Sequence, residues 1–397
     1  MFTFDFEDKI KFTKAVYYHF HKIPLPKPFK DGTGGMGKFA PEQGCIELYD
    51  QEGACAHLTV GPGFVTDILP MVLNGEEHSY NEWRNSLYWK IRNAGFQSEK
   101  AVEVGQLDLM MLDILAQRAK KPLHRFMGAT KDWAQAYKGG GSLLLEDNEL
   151  VEDMVRYVEE GYTTVKFKVG SNDGTDMERD LRRIEKVRKA VGDKIGVAVD
   201  CNQRWDVDNA FRFAKMCEPY HLAWLEEPIH SHNMNGIRRL KEMGVTIPIA
   251  FGESMRIYYE YETYIEKGVD HVQPSIGRMT RMDDIIRIRD LAREKGVKFT
   301  SGGRIYLNAI FGCLYNENEW IEYHEPISRP VGAYTLFQPE EKNGRFYCQP
   351  DLPGNPQRLD IEKLEKDGLM ESREIVLICL VRVILSTSQH RWWCGNL

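Results

Sequence analysis

The chain has 397 residues, with 52 Lys and Arg against 59 Asp and Glu, so its formal net charge of -7 offers no broad basic footprint for nucleic acid. A composition of 42% hydrophobic and 28% charged residues is that of a globular chain long enough for two domains, and it excludes wholesale disorder. No apolar run approaches the 18 or so residues of a membrane span, so a membrane partner is not expected.

The start, MFTFDFEDKIKF, carries acids early and reads as no secretory leader. Lys30 to Ala40, KDGTGGMGKFA, holds four glycines and reads as a loop or lid. It lacks the spacing and the preceding strand of a phosphate-binding loop. Residues 45–49 (CIELY) and 55–60 (CAHLTV) are short apolar runs joined by DQEG, which predicts a hairpin. Over 101–120, Val104, Leu107, Met111, Ile114 and Leu115 recur at helical spacing, and the methionines there read as core packing.

After residue 133 the pattern alternates strand and helix. Apolar strands are predicted to end at Gly139, Lys168, Asp200, Glu226, Glu253, Pro274 and Ser301, with a weaker one over 319–323. Helices are predicted at 147–160, 176–191, 207–218, 231–243, 256–267, 281–295 and 304–315. Seven or eight such units favour a closed barrel over an open doubly wound sheet, and no GxGxxG follows an early strand.

The tail begins with a predicted surface helix over 360–371. The 11-residue run IVLICLVRVIL is too short for a bilayer. Residues 372–397 read as an atypical extension, either a docking strand or the product of a shifted reading frame, and carry no functional weight here. Eight scattered cysteines without a CxxC pair fit neither a disulfide framework nor a Cys-rich zinc site, and favour a reducing, cytoplasmic compartment.

The chemistry gathers at the predicted strand ends, which converge on one mouth of a barrel. The second strand, TTVKFKVG, places Lys166 and Lys168 two residues apart and so on one side. If that side is the interior, each ammonium favours the neutral amine on the other, and a neutral lysine is a competent general base. The bland alternative is a pair of solvated lysines on an edge strand.

The third strand ends in VAVDCNQRW with Asp200 and Asn202. The fourth ends in AWLEEP with Glu226 and Glu227, and the fifth in PIAFGES with Glu253. Three clustered carboxylates repel one another and call for a cation. An all-oxygen set suits a hard ion such as magnesium. Such an ion can hold a substrate carboxylate and stabilise an enediolate while a lysine removes the alpha proton.

These residues resemble a known family. Lys166-Phe167-Lys168, Asp200-Cys201-Asn202, Trp224-Leu225-Glu226-Glu227-Pro228 and Gly252-Glu253 resemble the enolase superfamily, in its mandelate racemase and acid-sugar dehydratase branch. Residues 106–128 resemble the helix and PLxxLLG turn joining that family's cap to its barrel, and Glu322 in WIEYHEP resembles its late barrel acid.

The resemblance implies an α+β capping domain (1–130) over a modified (β/α)7β barrel (131–330), then a return segment (331–371) and the tail (372–397). It implies magnesium on Asp200, Glu226 and Glu253, Lys168 as base, and Lys166 as its electrostatic neighbour. Asn202 then either supports the metal ligands from behind or contacts the substrate, Glu322 is a substrate contact, and cap loops near 20–40 and 50–64 complete the site. A homo-oligomer is also implied, with Trp83, Tyr88 and Trp89 as the only hint in the residues themselves.

Two departures shape the functional expectation. Where the branch carries an Asp–His pair, this chain has Ser275 and, at or near the histidine's place, Gly302. His271 reads as structural. Two-base racemisation is therefore disfavoured, whereas dehydration needs one base. The expected function is a magnesium-dependent acid-sugar dehydratase giving a 2-keto-3-deoxy acid from a small carboxylate substrate. Its proton donor is open among metal-bound water, Tyr306, Ser275 and the conjugate acid of Lys168. Arg278 and Arg304 are candidates for a distal carboxylate of an aldarate. The alternatives are an epimerase or cycloisomerase with the same proton step, or a non-catalytic relative that keeps the metal site.

Overall fold

The computed structural model describes residues 3–34, 37–41 and 44–378, together with the backbone of strand Arg382–Ser386. Eight parallel strands close into a barrel: Trp133–Gly140, Thr164–Lys168, Gly196–Asp200, Leu225–Glu226, Ile249–Phe251, His271–Val272, Lys298–Ser301 and Trp320–His324. Closure comes from pairing of the eighth strand with the first, Ile321 opposite Ala136. A helix follows each strand, and the caps follow from sequence. Asp176, Asp206 and Asn233 accept backbone N–H groups at the starts of helices Met177–Val191, Val207–Cys217 and Met234–Glu242.

Alternation along the strands separates two environments. Val165, Phe167, Val197 and Val199 face the helices and join the main core. Tyr137, Ala198, Trp224 and Ala250 fill the barrel interior as a smaller cluster. Above that layer the inward positions are polar, and there the site begins.

The cap is a five-stranded antiparallel sheet with Phe12–Phe20 at its centre. Gly44–Asp50 and then Cys55–Thr59 lie on one side of it; Met370–Leu377 and then Arg382–Ser386 lie on the other. Helix Tyr80–Lys90 starts from a capping box built on Ser79 and Glu82. Helix Glu99–Arg118 is buried on nearly all sides, so its apolar stripe is wider than the spacing predicts. A buried ionic cluster ties cap to barrel. Arg84 pairs with Asp283 and lies 3.5 Å from Asp108, whose other contacts are Tyr80 Oη at 2.7 Å and the Met282 N–H at 2.8 Å.

Several sequence expectations are corrected. The glycine-rich loop contains a short strand, Gly37–Phe39, paired with Pro24–Phe29. The fifth and sixth strands stop at Phe251 and Val272, so Glu253 stands two residues beyond its strand. The predicted 360–371 helix covers only Ile361–Lys366. Gly368, at φ +69°, ends that turn, and MESREIVL then pairs along Phe12–Phe20. The strand Met370–Leu377 therefore runs across the 371/372 boundary as part of the cap sheet. Residues 379–381 and 387–397 lie outside the described residues. Trp83 is core, donating its indole N–H to Ile10 O at 2.8 Å, which leaves Trp89 as the exposed aromatic of its helix. Among the described residues no helix is long and apolar enough to cross a membrane, and six cysteines are free thiols.

Candidate active site at the barrel mouth

Adjacent strands hold Lys168, Asp200 and Glu226 in register around the barrel wall, Lys168 opposite Asp200 and Asp200 opposite Glu226. All three side chains, and that of Lys166, are buried. Lys166 Nζ lies 2.5 Å from Glu226 Oε1, 2.7 Å from Glu322 Oε1 and 3.8 Å from Asp200 Oδ2. Lys168 Nζ lies 2.5 Å from Asp200 Oδ2. The second oxygen of Glu226 accepts from Trp224 Nε1 at 2.9 Å and Gln273 Nε2 at 3.0 Å. Asn202 donates its backbone N–H to Asp200 Oδ1 at 2.9 Å, from a left-handed conformation (φ +48°) that turns the chain sharply there.

These pairings reverse one electrostatic expectation. Repulsion between the two lysines was expected to lower their pKa. Both are instead held above the ordinary lysine value, because burial is outweighed by the carboxylates in contact with them. Burial works against Asp200 too, but the charges of Lys168 and Lys166 bring its carboxyl down to about 2. Glu226 goes the other way. Burial and the charge of Asp200 outweigh Lys166 and push it up to about 8. Glu227, held by Ser231 at 2.7 Å and Gln203 at 2.9 Å, is also pushed up to about 8, by burial and by Glu253.

The Glu253 carboxylate has no hydrogen-bond partner among the described residues, and burial and Asp200 raise its pKa. The side-chain amide oxygen Oδ1 of Asn202 is buried without a partner as well. Among the described residues no three His, Cys, Asp or Glu side chains stand in ready metal-binding geometry. The donor chemistry nevertheless fits a hard cation. Asp200, Glu226 and Glu253 supply only oxygens, one of the three is unpaired, and burial resists their joint ionisation unless positive charge enters.

A cavity of about 430 Å³ opens over these residues, a volume ordinary for a small-molecule site. Phe29, Asp31, His57 and Thr59 of the cap complete its lining. Gly32 seats the loop on the barrel, since a Cβ there would lie 2.2 Å from Cys201 O. Arginines mark the wall. Arg278 is exposed and its guanidinium makes no hydrogen bond or ion pair among the described residues, while its charge reaches Glu253. Arg304 donates to Thr59 O at 2.6 Å and Arg358 to Gln357 O at 2.8 Å, so both are tethered to nearby backbone.

Tyr306 also lines the cavity, but its hydroxyl packs against Gly332, where a Cβ would lie 2.0 Å from it. His271 sits inside the sixth strand, its Nε2 2.7 Å from Thr300 Oγ1 and its ring 4.9 Å from that of Trp224. Sequence reading passed over His57, Arg358 and His324, which share this cavity. The signal for His324 was available: it lies two residues after Glu322 on a strand, hence on the same side.

A parallel eight-stranded barrel under an α+β cap, with lysines and acids on successive strand ends, defines a class of fold, and comparison with known proteins identifies its family. Residues 149–363 match the family described as enolase C-terminal domain-like, more than half of the chain. The chain belongs to the enolase superfamily, in its mandelate racemase/muconate lactonizing enzyme branch.

It is 28% identical over 261 residues to L-talarate/galactarate dehydratase of Salmonella typhimurium, a match spanning 65% of each chain and so less than two thirds of that enzyme. It is 26% identical over 357 residues to 3,6-anhydro-alpha-L-galactonate cycloisomerase of Streptomyces coelicolor, covering 87% of this chain and 96% of that one. Among solved structures, a Streptomyces coelicolor racemase with bound magnesium superposes at TM-score 0.76 and 24% identity, over 91% of this chain and 99% of that one. The likeness is one of fold.

Proposed function

We propose that the protein is a magnesium-dependent dehydratase of an acid sugar, an aldonate or aldarate. The observation that carries this is the buried Lys168 at a barrel mouth shared with Asp200, Glu226 and Glu253. These three acids would hold the cation, which when bound supplies positive charge for a substrate carboxylate. A cation on Asp200 would free Lys168 from the contact that holds its proton; as a neutral amine Lys168 then takes the proton alpha to that carboxylate, and Lys166 faces the developing negative charge. Asn202 and Glu322 contact the substrate hydroxyls. Arg278 is free to meet a distal carboxylate and Arg304 flanks it, which favours a dicarboxylate. The similarity to L-talarate/galactarate dehydratase supports this choice.

Cycloisomerisation is the second reading, favoured by the near full-length match to the anhydrogalactonate cycloisomerase; it shares the proton-removal step. A panel of aldonates and aldarates, incubated with magnesium in D2O, tests both. A 2-keto-3-deoxy product supports dehydration, and a rearranged isomer supports the second reading. Neither product nor alpha-deuterium exchange across the panel would remove both. We also propose a homo-oligomer, supported by exposed Trp89 and Tyr259; light scattering returning one chain's mass at micromolar concentration would exclude it.

A further inference from the structure

Elimination needs a proton donor for the departing hydroxyl as well as a base for the alpha proton. The cavity offers few such groups. The Tyr306 hydroxyl is turned to Gly332. His57 spends Nε2 in accepting the Leu359 N–H at 3.1 Å, and its Nδ1 is buried beside Glu47 at 4.0 Å. Ser275 is an ordinary hydroxyl on the backbone bridge to Gly302. His324 differs from all of these. Its ring lies edge to face with Phe29 at 4.8 Å, and among the described residues its nitrogens make no hydrogen bond. Lys168, Glu322, Lys166 and Asp200 all act on it electrostatically.

The first barrel strand explains how His324 faces the lysines. His324 is in register with Gly139, and Gly139 with Lys166. That glycine presents no side chain between the eighth and second strands. A Cβ added there would fall 3.4 Å from Glu322 Oε1 and 3.7 Å from Lys166 Cε. With strands roughly 5 Å apart, the backbones bearing His324 and the lysines stand roughly 10 Å from each other across a bare lane. That is room for a short carbon chain with one group on each side.

We infer that His324 is the catalytic proton donor to the leaving hydroxyl, facing the substrate across from Lys168; this rests on the dehydratase reading. The alpha proton passes to Lys168 Nζ and its bonding pair becomes the new carbon–carbon double bond. The beta carbon–oxygen bond breaks with its pair on oxygen, which takes the His324 proton and leaves as water. The enol then takes a proton at the beta carbon and gives up its hydroxyl proton to water, which yields the 2-keto-3-deoxy acid. Burial and the charge of Lys168 hold the ring down at about 4 in the structure. Lys168 acts as base only when neutral, and a neutral Lys168 no longer opposes a proton on the ring.

The test uses the full, magnesium-loaded chain as wild type, His324→Asn, His324→Gln and Lys168→Ala, each confirmed folded by its thermal transition. Alpha-deuterium exchange and keto-acid release are followed by NMR on the sugar-acid panel. Both His324 variants should keep exchange within a few-fold while losing elimination by about 100-fold or more. Lys168→Ala should lose both. If one His324 variant fails to fold, the other decides. Elimination at the parent rate without His324, or loss of exchange as complete as in Lys168→Ala, overturns the donor role and leaves the dehydratase reading standing. A wild-type protein that neither exchanges nor eliminates overturns that reading, and the donor role with it. Diethyl pyrocarbonate should also modify His324, and the acid that is turned over should shield it; modification undiminished by that acid again overturns the role.

Discussion

Lys168 and Asp200 form a buried pair at 2.5 Å, and breaking one side of such a pair leaves a charge without compensation. Lys168→Ala should therefore cost about 3–5 kcal/mol in the metal-free protein. Denaturant titration measures this, and a loss under 1 kcal/mol would mean that water or another cation already serves Asp200. Magnesium should stabilise the wild type by about 2.7 kcal/mol at a hundredfold excess over its Kd. Glu226→Gln and Glu253→Gln should each cut that gain sharply. An undiminished shift in both would place the cation elsewhere. Asp200, Glu226 and the lysines were legible in the sequence because strand ends and alternation alone fix their side of the chain. Pairing of the lysines to those acids was not, since it depends on side chains from neighbouring strands. His324 falls one residue beyond the weak predicted strand 319–323, so no strand end marked it.

Helix Glu99–Arg118 meets the barrel through a contact that tolerates no side chain. A Cβ on Gly105 would lie 1.7 Å from Met279 O, against backbone that cannot yield as a side-chain tip would. Gly105→Ala should cost about 1–3 kcal/mol or more by overpacking, whereas Gly61→Ala, with open space around it, should stay within about 0.5 kcal/mol. Equal thermal transitions for the two would refute this packing. Elements of strong periodicity, such as the barrel helices, were readable because one apolar face suffices to define them. Met370–Leu377 was not, because its strand character is conferred by Phe12–Phe20, a partner some 350 residues away in the chain. Likewise the extra strand Gly37–Phe39 has no apolar pattern of its own and exists through pairing with Pro24–Phe29.

At the scale of the whole molecule, buried neutral histidines set the acid limit. Burial brings both His57 and His271 down to about 3 from an ordinary 6.5. A depressed value in the fold means the unfolded chain binds the proton first. Their contribution is therefore complete above about pH 6.5 and is lost progressively as pH falls toward 3. At pH 5 each should cost about 2 kcal/mol relative to neutral pH. His271→Asn should flatten that part of the stability profile; an unchanged slope between pH 6.5 and 5 would mean that the ring is solvated. The five-stranded cap sheet has a different consequence, for synthesis on the ribosome. Strands Phe12–Phe20, Gly44–Asp50 and Cys55–Thr59 emerge first, but Met370–Leu377, which covers the open edge of Phe12–Phe20, emerges only after the entire barrel. At 5–20 residues per second the nascent chain carries an unsealed β-edge for roughly 15–60 s, the interval in which a chaperone or a neighbouring nascent chain can occupy it.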